Sequence, residues 1–308
     1  MSHLRLLTRA NIDAARWNTC LDTAVNNRVY AYAWYLDAVC GASWSALVWG
    51  DYVAIMPLPF NRKMGVRQVY PPFYTQQLGV FYSADFAMQH LPEFWAALPS
   101  YAYYANIRLN SHNNSSLPSN FALTAHPNHL LDLRAPYTTL YAGYNSGLQR
   151  RLRQAEKRGF VLDETVGYTE WSVMYAAHQA PKMGRLAPNL FALGASVMAA
   201  AVQAERGRWL GVRDSEGDLL CVLFLVRGNG RLIKLASATT PAGRQTAAYH
   251  WLVNWVIAQY AETVQYLDFE GSSIPGVAEF NTSFGATPET YYLLHYNYLP
   301  APLRWFKP

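Results

Sequence analysis

Asp268-Phe269-Glu270-Gly271, followed a short way on by Phe280-Asn281-Thr282-Ser283-Phe284-Gly285, is the stretch on which the fold turns. Gln265 to Phe269 is a compact β-type run, and Gly271-Ser272-Ser273 breaks it. Pro275 to Ser283 then reads as a short helix, with Val277, Phe280 and Phe284 recurring at i, i+3 and i+7. Because strand side chains alternate, Asp268 and Glu270 are expected on one face and Leu267 and Phe269 on the other. The strand thus delivers two carboxylates to whatever lies beyond its end.

Working outward, the segments before this stretch spell a meander. Trp209 to Arg213, Leu219 to Arg227 and Arg231 to Thr239 read as strands, joined by the turn residues Ser215-Glu216-Gly217-Asp218 and Gly228-Asn229-Gly230. Ala248, Trp251, Leu252, Trp255 and Val256 follow the stripe of an amphipathic helix, and Thr290 to Tyr296 reads as a last strand. The first half has helices at Arg9 to Trp17 and Ala31 to Val39, then strands at Ser45 to Trp49, Tyr52 to Pro59 and Val66 to Tyr70. An aromatic segment, Pro71 to Gly79, leads to a helix at Phe86 to Leu98 and a strand at Tyr103 to Leu109. The Asn/Ser-rich stretch Asn110 to Asn120 is expected to be an exposed loop, and His126 to Ala135 a strand. Ala135-Pro136 marks the junction between domains 1–135 and 136–308. Each half is a mostly antiparallel meander followed by helix, strand, helix and strand. The fold class is therefore mixed α/β, and the repeated order suggests duplication.

A chain of 308 residues has room for two such domains. Charged residues are only 15% of it, so much of the surface must be uncharged or aromatic, and 22 tyrosines suit that. A net charge of +5 allows an anionic ligand without demanding a nucleic acid. Cys20, Cys40 and Cys221 are odd in number and lack CxxC spacing, which argues against a disulfide framework or structural zinc and for a reducing cytoplasm. No signal peptide follows Met1, and the apolar stretches Leu190 to Val202 and Leu219 to Val226 are too short to span a bilayer.

The element order resembles the GNAT acyltransferase fold, and the paired halves are similar to the Fem-type peptidoglycan bridge aminoacyltransferases, which carry two GNAT-like domains in tandem. Two stretches carry the resemblance. The basic segment Ser146 to Gly159 is similar to the helix that opens the family's second domain, and the acidic strand with Phe280 to Gly285 is similar to its strand end and Phe-Lys-x-x-Phe-Gly helix. The resemblance implies acyl transfer, either from acyl-CoA or, as in the Fem-type enzymes, from aminoacyl-tRNA to a cell-wall precursor. Those enzymes carry lysine where this chain has Asn281, and that lysine is thought to hold the oxyanion. A neutral amide makes a weaker hydrogen bond than a cation does. An acyl-CoA donor thereby becomes the main expectation, with aminoacyl-tRNA transfer and a non-catalytic binding module as the alternatives.

Four constellations are candidates for the chemistry. Glu270 and Asp268 are expected to accept a proton from an attacking amine, with Asn281 polarising the acyl carbonyl; Asp268 has a structural alternative as a cap of the following turn. Thr240, Gly243 and Arg244 stand at a strand-to-helix turn where GNAT enzymes cradle the CoA pyrophosphate, although only one glycine is present here. On the basic helix, Ser146 and Gln149 make a capping box, Leu148, Leu152 and Ala155 form the buried stripe, and Gly159 stops it. Arg150, Arg151, Arg153, Lys157 and Arg158 are left exposed for donor phosphates. Tyr74, Gln76 and Gln77 are expected to bind the amine acceptor, a small molecule, peptide or sugar, in a cleft between the halves. No tightly bound cofactor or metal is implied, and no Gly-x-Ser-x-Gly or Cys/His pair suggests a covalent nucleophile.

Overall fold

The computed structural model describes residues 3–63, 65–113, 117, 121–182, 189–271 and 275–304. The chain forms two compact units: Met1–His126 with Thr290–Pro308, and Pro127–Glu289. In the first unit β1 (Leu4–Thr8), β2 (Trp44–Trp49), β3 (Ala54–Lys63) and β4 (Val66–Val69) form an antiparallel meander. A short β5 (Phe81–Tyr82) pairs with the start of β3. Helices α1 (Ala14–Thr23), α2 (Ala33–Cys40) and α3 (Leu91–Tyr101) pack with it, and α3 leads to β6 (Tyr104–Leu109), which lies parallel to β4. Tyr292 to Asn297 return antiparallel to β6.

Helix α1 starts later than the expected Arg9 because Asp13 caps it, its carboxylate accepting from the N–H groups of Ala15 and Arg16. Helix α3 starts after the expected Phe86, which instead packs in a core with Phe94, Trp95, Leu98 and Ile107. The expected exposed loop is a buried anchor where it begins. Asn110 and Asn113 are fully buried, Asn113 Oδ1 accepts from Val80 N–H at 2.6 Å, and Asn110 Nδ2 donates to Leu78 O at 3.0 Å. The passing backbone at Leu78 to Val80 needs partners, and these side chains supply them. Positions 114–116 and 118–120 of that stretch, and Ser272 and Ser273 of the later break, lie outside the described residues.

The second unit receives the end of β7 (Ala122–Asp132), then α4 (Tyr137–Ala142) and α5 (Ser146–Ala155). It continues with β8 (Val161–Asp163), α6 (Tyr168–His178), α7 (Leu190–Gln203), β9 (Gly207–Arg213), β10 (Leu219–Arg227) and β11 (Arg231–Thr239). Helices α8 (Pro241–Gln245) and α9 (Ala248–Tyr260), strand β12 (Tyr266–Asp268), helix α10 (Pro275–Ser283) and the start of β13 (Thr287–Asn297) complete it. Strands β8 to β11 are antiparallel neighbours, β12 lies parallel to β11, and β7 closes the order antiparallel to β12.

The buried face of α9 is Ala248, Leu252, Val253, Val256 and Ile257, rotated from the expected stripe. Trp251 and Trp255 flank it, the first against Phe160 and the second beneath the Arg208 guanidinium. Their large rings are better used bridging to neighbours than stacked under the sheet. With Leu210, Val212, Leu223 and Leu225 this face builds the unit's core, each fully buried side chain contributing roughly 1.5–3 kcal/mol. Among the described residues no helix is long and apolar enough to cross a membrane.

Candidate active site

The site in the second unit is made where β11 and β12 part. Their parallel pairing covers only Arg231–Ile233 against Tyr266–Asp268, while β11 runs on to Thr239. Asp268, the last paired residue of β12, is 1% exposed. Its Oδ2 accepts from Arg231 Nη1 at 2.8 Å, and its Oδ1 accepts from Glu270 N–H at 2.9 Å. Arg231 also binds Glu289, at 2.8 Å. Burial disfavours the guanidinium charge, but the two carboxylates outweigh burial and raise its pKa. Asp268 is thus the turn cap that the sequence offered as its structural role. The expected alternation stops there: β12 ends at Asp268, and Glu270 has φ +58°, a left-handed residue outside the strand and only partly buried. The ion pair and the cap hold this reversal, so Glu270 is aimed by the turn and not by the pleat.

Opposite the acids is a side chain that the sequence reading passed over. Lys234 follows the last paired residue of β11, beside a register shift in which Lys234 faces Leu225 and Ala236 faces Phe224, leaving Leu235 extra. Its Nζ lies 4.4 Å from the ring centroid of Phe269, 5.0 Å from Phe280 and 5.4 Å from Tyr249. Among the described residues the ammonium has no hydrogen bond and no carboxylate within ion-pair distance. Burial among rings pushes its pKa down to about 7, against the raising influence of Glu270 and Asp268. His250 packs against Phe280 with centroids 4.8 Å apart, and burial, with Arg151 and Lys234 nearby, lowers its pKa to about 4, so it is neutral at pH 7. Asn281, next to Phe280 on α10, is fully buried, and neither of its amide atoms has a hydrogen-bond partner among the described residues. An unsatisfied buried amide is costly, which makes this position unusual for a purely structural residue.

The Gly243 turn is differently made. Thr240 Oγ1 caps α8 by accepting from Gly243 N–H at 2.9 Å and donates to Leu220 O at 3.1 Å. A Cβ at position 243 would meet Leu220 O at 2.3 Å, so close backbone packing explains the glycine. Arg244 Nη1 donates to Thr239 O at 2.6 Å. On α5 the cap is Asn145, one residue before the expected Ser146, and its side chain accepts from Leu148 N–H at 2.7 Å. Gln149 reaches back to the carbonyls of Tyr141 and Tyr144. The stripe of Leu148, Leu152 and Ala155 is buried, and Gly159 ends the segment with φ +66°. Arg150, Arg151, Arg153, Lys157 and Arg158 are exposed, and among the described residues none of them pairs with a carboxylate.

The three aromatic-loop residues belong to the first unit. Gln77 is fully buried, its Oε1 accepting from Arg28 Nε at 3.1 Å and from Ser111 N–H at 3.3 Å, while its Nε2 donates to Gln76 Oε1 at 3.0 Å. Tyr74 has φ +58°, and its carbonyl accepts from the Tyr35 hydroxyl. The structure therefore brings Asp268 and Glu270 near Lys234, whose cage includes Phe280, the residue before Asn281, with Arg151 of α5 near His250. A signal for Lys234 was present: a charged residue between Ile233 and Leu235 in an apolar strand needs a reason to be there. Cys20 and Cys40 are pushed up to about 12 by burial, so neither is a thiolate nucleophile at neutral pH. Chemically, the site offers a carboxylate to take a proton and polar groups to meet a carbonyl oxygen.

No protein-family model matches this sequence, and no curated protein matches it. Solved structures match over nearly the whole chain. FemX gives a TM-score of 0.72 at 12% identity, covering 96% of this chain and 98% of its own. A tandem GNAT protein from the clavulanic acid biosynthesis pathway gives 0.57 at 12% identity, covering 97% and 99%. The L-PGS of Bacillus licheniformis gives 0.55 at 12% identity, covering 96% and 95%. The chain has the tandem GNAT fold, as the sequence resemblance implied.

Proposed function

We propose that the protein is an acyltransferase that moves an aminoacyl group from the 3′ ester of a tRNA to an amine on a peptide or amino-sugar cell-wall precursor. The observation that carries this reading is the placing of Glu270, on the turn that Asp268 caps, near Lys234 where β11 and β12 part. Glu270 takes the proton of the attacking amine, Asn281 helps polarise the acyl carbonyl, and Asp268 holds the turn that aims Glu270.

The donor follows from where cations and N–H groups are available. Gly243 N–H is already bonded to Thr240, and Arg244 to the Thr239 carbonyl, which counts against a pyrophosphate cradle there. Helix α5 and the turn after it offer exposed Arg150, Arg153 and Lys157, which pair with no carboxylate among the described residues, and Arg151 lies near enough to act on His250. A row of cations leading away from the reacting groups suits a long RNA backbone better than one pyrophosphate. The likeness to FemX supports the same donor, and such a donor implies the cytoplasm. The expected acyl-CoA donor becomes the second reading, favoured by the length of β11 beyond Ile233, whose edge could pair with the amides of a pantetheine arm.

The test is amide formation on a UDP-linked muramoyl pentapeptide from either a charged, radiolabelled tRNA pool or labelled acetyl-CoA. Product from aminoacyl-tRNA is expected, with Glu270→Gln lowering kcat by about 10²–10⁴-fold. Turnover with acetyl-CoA alone would transfer the assignment to the second reading. Absence of turnover with both donors would refute acyl transfer and leave a binding module.

A further inference from the structure

We propose that Lys234 is a catalytic residue of this site, its ammonium donating from strand β11 to the acyl carbonyl oxygen as that oxygen becomes an oxyanion. The inference rests on the acyl-transfer reading and adds to it the group that bears the charge. Lys234 sits at the first position where β11 is released from β12, beside the bulge at Leu235. Its charge is held by the faces of Phe269, Phe280 and Tyr249 and not by a counter-ion. Among the described residues Lys234 makes no ion pair although Glu270 and Asp268 are near enough to raise its pKa, and it touches Phe280, the residue before Asn281, whose buried amide has no hydrogen-bond partner among them. A cation caged by rings and close to two carboxylates, where β11 leaves β12, is placed to meet an oxygen that acquires negative charge during reaction.

In the step so described, the lone pair of the acceptor nitrogen forms the C–N bond and the carbonyl π pair moves to oxygen. Lys234 hydrogen-bonds that oxygen and keeps its proton. Collapse restores C=O and breaks the ester C–O bond; the proton shed by the amine passes to Glu270 and then to the departing ribose oxygen. The charged and titratable groups facing Lys234 are Glu270 and Asp268 from the β12 turn, and Tyr249 and His250 from α9. A protonated Lys234 is required, so kcat/KM should fall on the alkaline side with a limb near the lysine's depressed value of about 7.

The experiment measures kcat, KM and pH profiles for the wild type, Lys234→Met, Lys234→Arg and the double variant Lys234→Met with Asn281→Lys, each checked for folding by chemical denaturation. Lys234→Met is expected to lower kcat by about 10²–10³-fold with KM little changed. Lys234→Arg, always charged, should move the alkaline limb up by about two pH units or more. Restoring a cation at position 281 should recover at least about ten-fold over Lys234→Met. A Lys234→Met variant within three-fold of wild type overturns the proposal, as does an unmoved limb in Lys234→Arg. Wild-type inactivity with every donor is a different result, since it removes the acyl-transfer reading itself. As a readout without turnover, acetic anhydride at pH 7 should label Lys234 ahead of Lys63 and Lys157, and 3′-alanylamido-3′-deoxyadenosine should shield it. Labelling that this probe leaves unchanged would remove Lys234 from the acyl site.

Discussion

Each unit makes the same crossover, a strand passing through helices to a parallel neighbour, and the two crossovers end in opposite ways. In the first unit, β4 and β6 pair at Gln68 with Tyr104 and Val69 with Ala105, after which the chain's own Thr75 to Leu78 closes in beside β6. Leu78 N–H donates to Arg108 O and Asn110 N–H to Leu78 O, both at 2.7 Å, and Arg108 Nη1 donates to Thr75 O at 3.2 Å. A cavity of about 10 Å³, lined by Val69, Tyr70, Thr75 and Ile107 among others, remains there, the size of one water at most. In the second unit β11 and β12 part at Ile233 and Asp268, and the residues that follow are a lysine caged by rings and, after Phe269, a left-handed glutamate. One crossover spends its polar groups on its own backbone, and the other sets beside its ion pair a lysine caged by rings. Repeated topology thus does not repeat side-chain surroundings: the same parting of strands is filled by backbone in one unit and by a caged lysine in the other.

Changes that remove partners should separate the two crossovers. Arg231→Met would remove the ion-pair partner of the buried Asp268 and the half-buried Glu289, and a loss of about 3–5 kcal/mol in denaturant stability is expected, together with loss of the Glu270 turn. Stability within about 1 kcal/mol of wild type would show that the second crossover does not depend on that ion pair. In the first unit, Asn113→Ala removes the acceptor for Val80 N–H and should cost about 1–3 kcal/mol with kcat unchanged. A large fall in kcat there would break the distinction between a structural and a chemical crossover.

A smaller effect comes from the cage itself. The folded chain binds a proton at Lys234 less readily than the unfolded chain, about 7 against 10.5, so this residue's cost is fully present below about pH 7 and is relieved as pH rises toward 10.5. Lys234→Met should therefore flatten the rise of stability over that window and stabilise the protein by about 1–2 kcal/mol at pH 6, measured by denaturation across pH. The smallest expected change is on α5. Arg150→Ala or Arg153→Ala should each weaken tRNA binding a few-fold and lower the salt-dependence slope by about one unit, which binding titrations at several salt concentrations would read.

The strands of the second unit were legible because their alternation and turn chemistry agree: Leu219–Arg227, Arg231–Thr239 and the helix Pro275–Ser283 lie where the sequence puts them. The Glu270 reversal was not, since a left-handed glutamate is disfavoured locally and is held there by a distant Arg231 through Asp268. Strand β1 and the helices α6 and α7 were also missed, α7 because its apolar residues run nearly all round it. The polar stretch at Asn110 misled for the converse reason: asparagine reads as loop, yet here its amides serve as backbone partners in the core. Lys234 needed the third dimension, because its cage comes from α9, α10 and the residue that follows β12.

The most direct test of an acyl site at the second crossover is photo-crosslinking of the full chain with a 3′-amido-3′-deoxyadenosine whose aminoacyl side chain bears a diazirine, with adducts mapped by mass spectrometry. Adducts on Lys234 to Thr240, Phe269, Glu270 or Phe280 are expected, and they should disappear when charged tRNA competes. Adducts confined to Tyr70 to Leu78 of the first unit would contradict the assignment.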